Sequence, residues 1–143
     1  MKRQPQGRPL PYHPEKGDYG WTEGWIQFNT PYNLSLSYLA WSQSRLDLAR
    51  EGDEVVVRLQ APLNFDAAKI ETGTVLLTTS AGDEEIVRVN EESPNSRTLT
   101  GRIKLASGSA AKGDAVLQSA PGATVEGSYG FGYLGTRSPR LGL

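Results

Sequence analysis

Few side chains in this sequence have the types and spacing that chemistry needs. The single histidine, His13, stands between Tyr12 and Pro14, in a stretch where Pro5, Pro9, Pro11 and Pro14 recur. A general base needs fixed geometry, and a proline-rich arm supplies little, so no Ser-His-Asp arrangement is expected on His13. Glycosidases work with two carboxylates at a set separation, which makes Asp83-Glu84-Glu85 and Glu91-Glu92 the next candidates. Both clusters fall at hairpin or loop positions. There they read as solvated acids that also keep sheet edges from unwanted pairing. The glycine-rich run from Gly127 to Gly132 lacks the Lys-Ser/Thr of a phosphate loop. The chain has no cysteine, which excludes thiol catalysis, cysteine-bound metal and disulfides. Asn33-Leu34-Ser35 fits a glycosylation sequon, which matters only in a glycosylating host. The expectation is a protein that is not an enzyme and carries no cofactor.

One feature does ask for a function. The stretch "WTEGWIQFNTPYNLSLSYLAWSQS" holds all three tryptophans, Trp21, Trp25 and Trp41, together with Phe28, Tyr32 and Tyr38. Such rings serve as core, as platforms for sugar rings or as interface anchors. We take these six residues as the candidate interface. Two strand patterns are read here, Trp25 to Asn29 and Leu34 to Trp41, parted by a turn at Asn29-Thr30-Pro31. In the second, Leu34, Leu36 and Tyr38 alternate with Ser35 and Ser37.

The elements around these residues are strands. Arg45–Leu48, Glu54–Leu59, Thr74–Thr79, Glu85–Val89, Thr98–Leu105, Ala115–Gln118 and Thr124–Tyr129 alternate apolar and polar positions. Val55, Val57 and Leu59 point one way, as do Leu99, Ile103 and Leu105. Turns are expected at Glu51-Gly52-Asp53, Ala81-Gly82-Asp83 and Ala120-Pro121-Gly122, and a polar loop over Glu91–Ser96. Gly101 fills an inward slot, the mark of a bulge or close packing. The spacing is that of an all-β sandwich of about seven strands with no convincing helix. The chain then divides into a proline-rich extended arm (1–20), aromatic-rich extra strands (21–43), the sandwich (44–130) and a loose, glycine-rich basic tail (131–143).

The segment from Leu46 to Tyr129 resembles the immunoglobulin-like repeat domains of large bacterial surface and secreted proteins. The resemblance rests on an ordered series. It starts at Gly52-Asp53-Glu54-Val55-Val56-Val57, then Pro62-Leu63-Asn64 and Glu71-Thr72-Gly73-Thr74-Val75. Ser80-Ala81-Gly82-Asp83-Glu84-Glu85 and Arg97-Thr98-Leu99-Thr100-Gly101-Arg102-Ile103 follow. The series closes with Gly113-Asp114-Ala115-Val116-Leu117-Gln118, Pro121-Gly122 and Thr124-Val125. It implies an immunoglobulin-like sandwich with a structural or adhesive role, usually outside the cell, and no enzyme. One departure concerns the acidic corner before Leu63-Asn64, where Gln60 and Pro62 stand in place of acids. Asn64 and Asp66 remain as weak metal candidates, far short of the roughly six to eight oxygens that calcium takes.

The bulk numbers agree. With 143 residues the chain is one ordinary domain with an appendage, and 16 Gly with 9 Pro suits turn-rich β structure. A net charge of −1 leaves no basic excess for nucleic acid, and no apolar run is long enough to span a membrane. The expected partners are further copies of this chain or another surface protein, with a glycan as an alternative. Met1-Lys2-Arg3 begins like the basic part of a signal peptide, but no apolar stretch follows. The function expected is that of a cell-surface or extracellular filament subunit assembling through residues 1–43. A carbohydrate-binding module and a virion decoration or tail protein are the alternatives.

Overall fold

The computed structural model of the chain describes residues 30–39, 42–62 and 66–143. The extended arm, the Trp25–Asn29 strand and His13 lie outside the described residues. The chain divides into two compact units, residues 1–38 and 39–143.

Residues 30–39 form a helix, α1, where the alternation of leucine and serine predicts a strand. The correction has a local cause. Thr30-Pro31 is a helix start as well as a turn signal, because a proline in the first turn gives up an N–H that has no partner there. Leu34, Leu36 and Leu39 are good helix formers. Tyr32, Leu36 and Leu39 recur at the i, i+4, i+7 spacing of one helical stripe, so the segment satisfies both periods. The Ser35 hydroxyl donates to the Pro31 carbonyl at 2.8 Å, one turn back, so a serine that fits a strand also closes locally. The helical pattern persists at its end, where the Gln43 N–H reaches the Leu39 carbonyl at 3.2 Å.

The second unit is all-β. Its strands are β1 (Arg45–Glu51), β2 (Glu54–Gln60), β3 (Thr72–Thr79), β4 (Glu84–Glu91), β5 (Thr98–Ser107), β6 (Val116–Ser119), β7 (Thr124–Ser128) and β8 (Leu141–Gly142). They follow one another around a curled sheet in the order β1-β2-β5-β4-β3-β7-β8, with β6 laid parallel on the far end of β5. All other pairings are antiparallel, and the sheet bends into a near-barrel.

The apolar halves of the strands meet inside. Leu46, Val55, Val57, Leu59, Val75, Leu77, Val89, Leu117 and Val125 are buried in one cluster that draws on β1, β2, β3, β4, β6 and β7. Each such side chain contributes about 1.5–3 kcal/mol relative to exposure. The sheet is not evenly sealed. β5 pairs with β2 from Thr98 to Lys104 but with β4 only through Asn90↔Thr100 and Glu91↔Leu99. Gly101 is where β5 leaves β4. A Cβ there would lie 2.5 Å from the Arg88 carbonyl and 2.8 Å from a Val89 methyl, so the slot is close packing.

The loose tail is a further correction. Leu141 and Gly142 pair with Val125 and Thr124 as an eighth strand, and Leu141 and Leu143 pack on the core. Ser138 is buried. Its N–H donates to the Gly127 carbonyl at 2.9 Å, and its hydroxyl accepts from the Gly127 N–H at 2.8 Å. Arg137 and Arg140 both reach the Glu126 carboxylate, at 2.8 and 3.2 Å. The basic residues that suggest a solvated terminus are thus half of the clamp that fastens it.

Candidate interaction surface

The acid clusters come first, because the structure corrects their reading as solvated for three of the five acids, while Glu84 and Glu92 are exposed as that reading has them. Asp83, Glu85 and Glu91 are 0%, 2% and 5% exposed, so none is open to a substrate. Strand β4 alternates exposed and buried residues, and Glu85, Val87, Val89 and Glu91 form its inner row. The valines occupy the middle and the acids the two ends, where the sheet meets its loops.

Each buried acid is saturated by main-chain donors. The Glu85 carboxylate accepts from the N–H groups of Gly113 (2.6 Å), Asp114 (3.0 Å) and Ala115 (3.0 Å). Three successive N–H groups converge this way only in a nest, which needs left-handed backbone nearby, and Gly113 and Ala115 have φ of 79° and 66°. Asp83 accepts from Ala111 at 3.1 Å and Gln118 at 2.8 Å. Glu91 accepts from Glu71 and Arg97, both at 3.1 Å, and the Glu71 side chain accepts in turn from Asp66 at 2.7 Å. The segment from Ala111 to Gln118 has no strand ladder with β4, which it meets through the main chain at the Gly113 N–H and the Glu84 carbonyl, 3.2 Å apart. The carboxylates stand in for the missing carbonyls, so their chemistry is used within the fold.

The metal candidates fare similarly. Asn64 lies outside the described residues. Asp66 pairs with Lys69 at 2.8 Å and accepts from the Ala68 N–H at 3.0 Å. These two bonds, the lysine's first, hold its carboxyl below the usual aspartate range. Among the described residues no group of three or more His, Asp or Glu side chains could hold a metal ion. None of the described helices is long and apolar enough to cross a membrane.

Of the six interface residues, Trp21, Trp25, Phe28 and Trp41 lie outside the described residues. Tyr32 and Tyr38 are described, both on α1, at 62% and 60% exposure. The helix adds residues that the strand reading did not single out. Leu34 and Leu39 are exposed on it, and Leu36 is only partly sheltered. The apolar residues fall on two stripes, Tyr32-Leu36-Leu39 and Leu34-Tyr38, each at the i, i+4 or i+3 spacing that puts side chains on one line. Ile86 and Leu134 are the large exposed apolar residues on the sheet unit, with Ile70 at the loop before β3.

No protein-family model matches the chain, and no curated relative matches it. The buried acids are occupied, while α1 presents a dense set of apolar side chains.

Proposed function

We propose that the chain is a non-enzymatic structural subunit that associates through its apolar N-terminal helix and is built on an immunoglobulin-like sandwich. One observation carries the reading: residues 30–39 of α1 include five large apolar residues, and four of them are more than half exposed. Contiguous exposed apolar surface marks interaction sites. A second copy is the partner we favour, because each copy then brings the same two stripes.

The strand order supports the sandwich half of the reading. β1-β2-β5 and β4-β3-β7-β8 are two runs joined by the two residue pairs between β4 and β5. Immunoglobulin-like domains divide in this way into two facing sheets with Greek-key connections. The cell-surface or extracellular setting follows from the sequence resemblance alone.

Sedimentation velocity of the full chain tests the assembly. The wild type should show mass rising with concentration, and Leu34→Asp with Tyr38→Asp should abolish that rise while leaving thermal unfolding of the sheet in place. A wild type that stays monomeric to about 1 mM, the weakest affinity worth an interface, would remove the basis for the reading.

A further inference from the structure

A second surface, on the other unit, carries its own pattern. The outer row of β4 reads Glu84, Ile86, Arg88, and all three are exposed, Ile86 at 59%. Successive outward residues of a strand stand about 6.6 Å apart. Ile86 is therefore flanked symmetrically by an acid on one side and a base on the other. Cross-strand neighbours on β3 extend the row: Leu76 sits opposite Ile86, and Thr74 opposite Arg88. Beyond Thr74, the Tyr133 hydroxyl lies 3.2 Å from its Oγ1.

We infer that this face of β3 and β4 is a two-fold contact between copies of the chain, centred on Ile86. A half-turn about an axis lying over Ile86, parallel to the sheet and perpendicular to β4, carries the place of Glu84 over that of Arg88. Two copies stacked face to face about that axis set Ile86 and Leu76 against their counterparts. Each Glu84 then faces the Arg88 of the other copy. Such a self-complementary patch is what an isologous dimer requires. Charge complementarity selects a second copy as the occupant.

Two neighbours bear on the charges. Glu84 also pairs with Lys112 of its own chain at 2.9 Å, with both side chains about half exposed. A pair so exposed is weak, so Glu84 is free to share its carboxylate with an incoming guanidinium. The contact is narrow, two strands wide, which places it among weak interfaces.

The test is sedimentation velocity on the full chain carrying Leu34→Asp and Tyr38→Asp, from about 10 μM to about 1 mM, where a small interface dissociates. Removing the helix surface separates this contact from the one proposed above. A weak dimer should persist in that background. Ile86→Asp should abolish it. Glu84→Arg or Arg88→Glu alone should weaken it about tenfold, because each sets like charges across the axis twice. The two reversals together should restore most of it, since opposite charges again face each other across the axis while Lys112 stays beside position 84. Absence of the dimer in the helix-deficient background, indifference to Ile86→Asp, or a double reversal no better than the singles would each overturn the inference. Ile86 is exposed, so its replacement removes no core contact, and Ile86→Ser serves if the aspartate variant does not fold.

Discussion

Replacing Glu85 tests the logic of the buried acids most sharply. Its two oxygens accept three N–H bonds from Gly113, Asp114 and Ala115, and only the Gly113 N–H is shared, with the Glu84 carbonyl at 3.2 Å. Hydrogen bonds to a charged group are worth about 1.5–3 kcal/mol each. The full sum does not apply, because the loop from Gly108 to Ala115 is exposed and its freed N–H groups recover water. Glu85→Ala should then cost about 2–4 kcal/mol, the net of lost charge-assisted bonds and a vacated inner position. Glu85→Gln should cost less, about 1–3 kcal/mol, because its amide oxygen keeps two bonds while its NH₂ opposes a donor. Thermal unfolding should fall by about 4–8 °C for each kcal/mol in a unit of this size. Amide exchange should locate the damage. Gly113, Asp114 and Ala115 should lose protection in Glu85→Gln, while Gln118, held by Asp83, and Val55, Val57 and Leu59 keep theirs. A melting temperature within about 2 °C of wild type, which corresponds to less than about 0.5 kcal/mol, would refute the claim that this carboxylate fastens the loop.

Three further outcomes follow from the same contacts. Gly101→Ala should destabilise by about 1–3 kcal/mol through overpacking, since the added methyl meets the Arg88 carbonyl at 2.5 Å; urea denaturation with an unchanged slope checks it. The hydrogen bonds of Arg137 and then Arg140 hold the Glu126 carboxyl below the usual glutamate range. The clamp on the tail is therefore fully present above the ordinary glutamate pKa and is lost as pH falls through the lowered folded value. Under about 1 kcal/mol is at stake in so exposed a cluster, and Glu126→Gln should flatten that acid step in a pH series of melting temperatures. Substituting Glu91 by alanine should loosen Arg97 and Glu71 together, because one carboxylate holds both N–H groups, and exchange at those two amides reads it out.

Much of the sheet was legible because period-two patterning is strong there. The inward sets Val55-Val57-Leu59 and Leu99-Ile103 are buried as the alternation requires, and the β3–β4 hairpin forms about Ala81-Gly82. The acids were misplaced even though the same parity reaches them. If Val87 and Val89 face inward, then Glu85 and Glu91 do too, two residues either side. Residue type prevailed over register in reading them as solvated, because charge alone says nothing of the N–H groups that a distant loop brings. Those donors, at Gly113 to Ala115, lie 28 to 30 residues away from Glu85 in the chain. The helix was missed for a different reason. Tyr32 to Leu39 satisfies strand and helix periods at once, and the deciding signal, Thr30-Pro31, reads equally as a turn. The tail's fastening was hidden because the partners that hold Arg137, Ser138 and Arg140 to the sheet, Glu126 and Gly127, lie on β7.

The central claim is that α1 is an association element, and amide exchange across residues 30–39 as a function of protein concentration tests it most directly. A helix with its apolar residues exposed should be poorly protected in dilute solution and should gain protection as copies meet, in step with the rise in mass. Protection that is the same at all concentrations, whether high or low, would contradict the account.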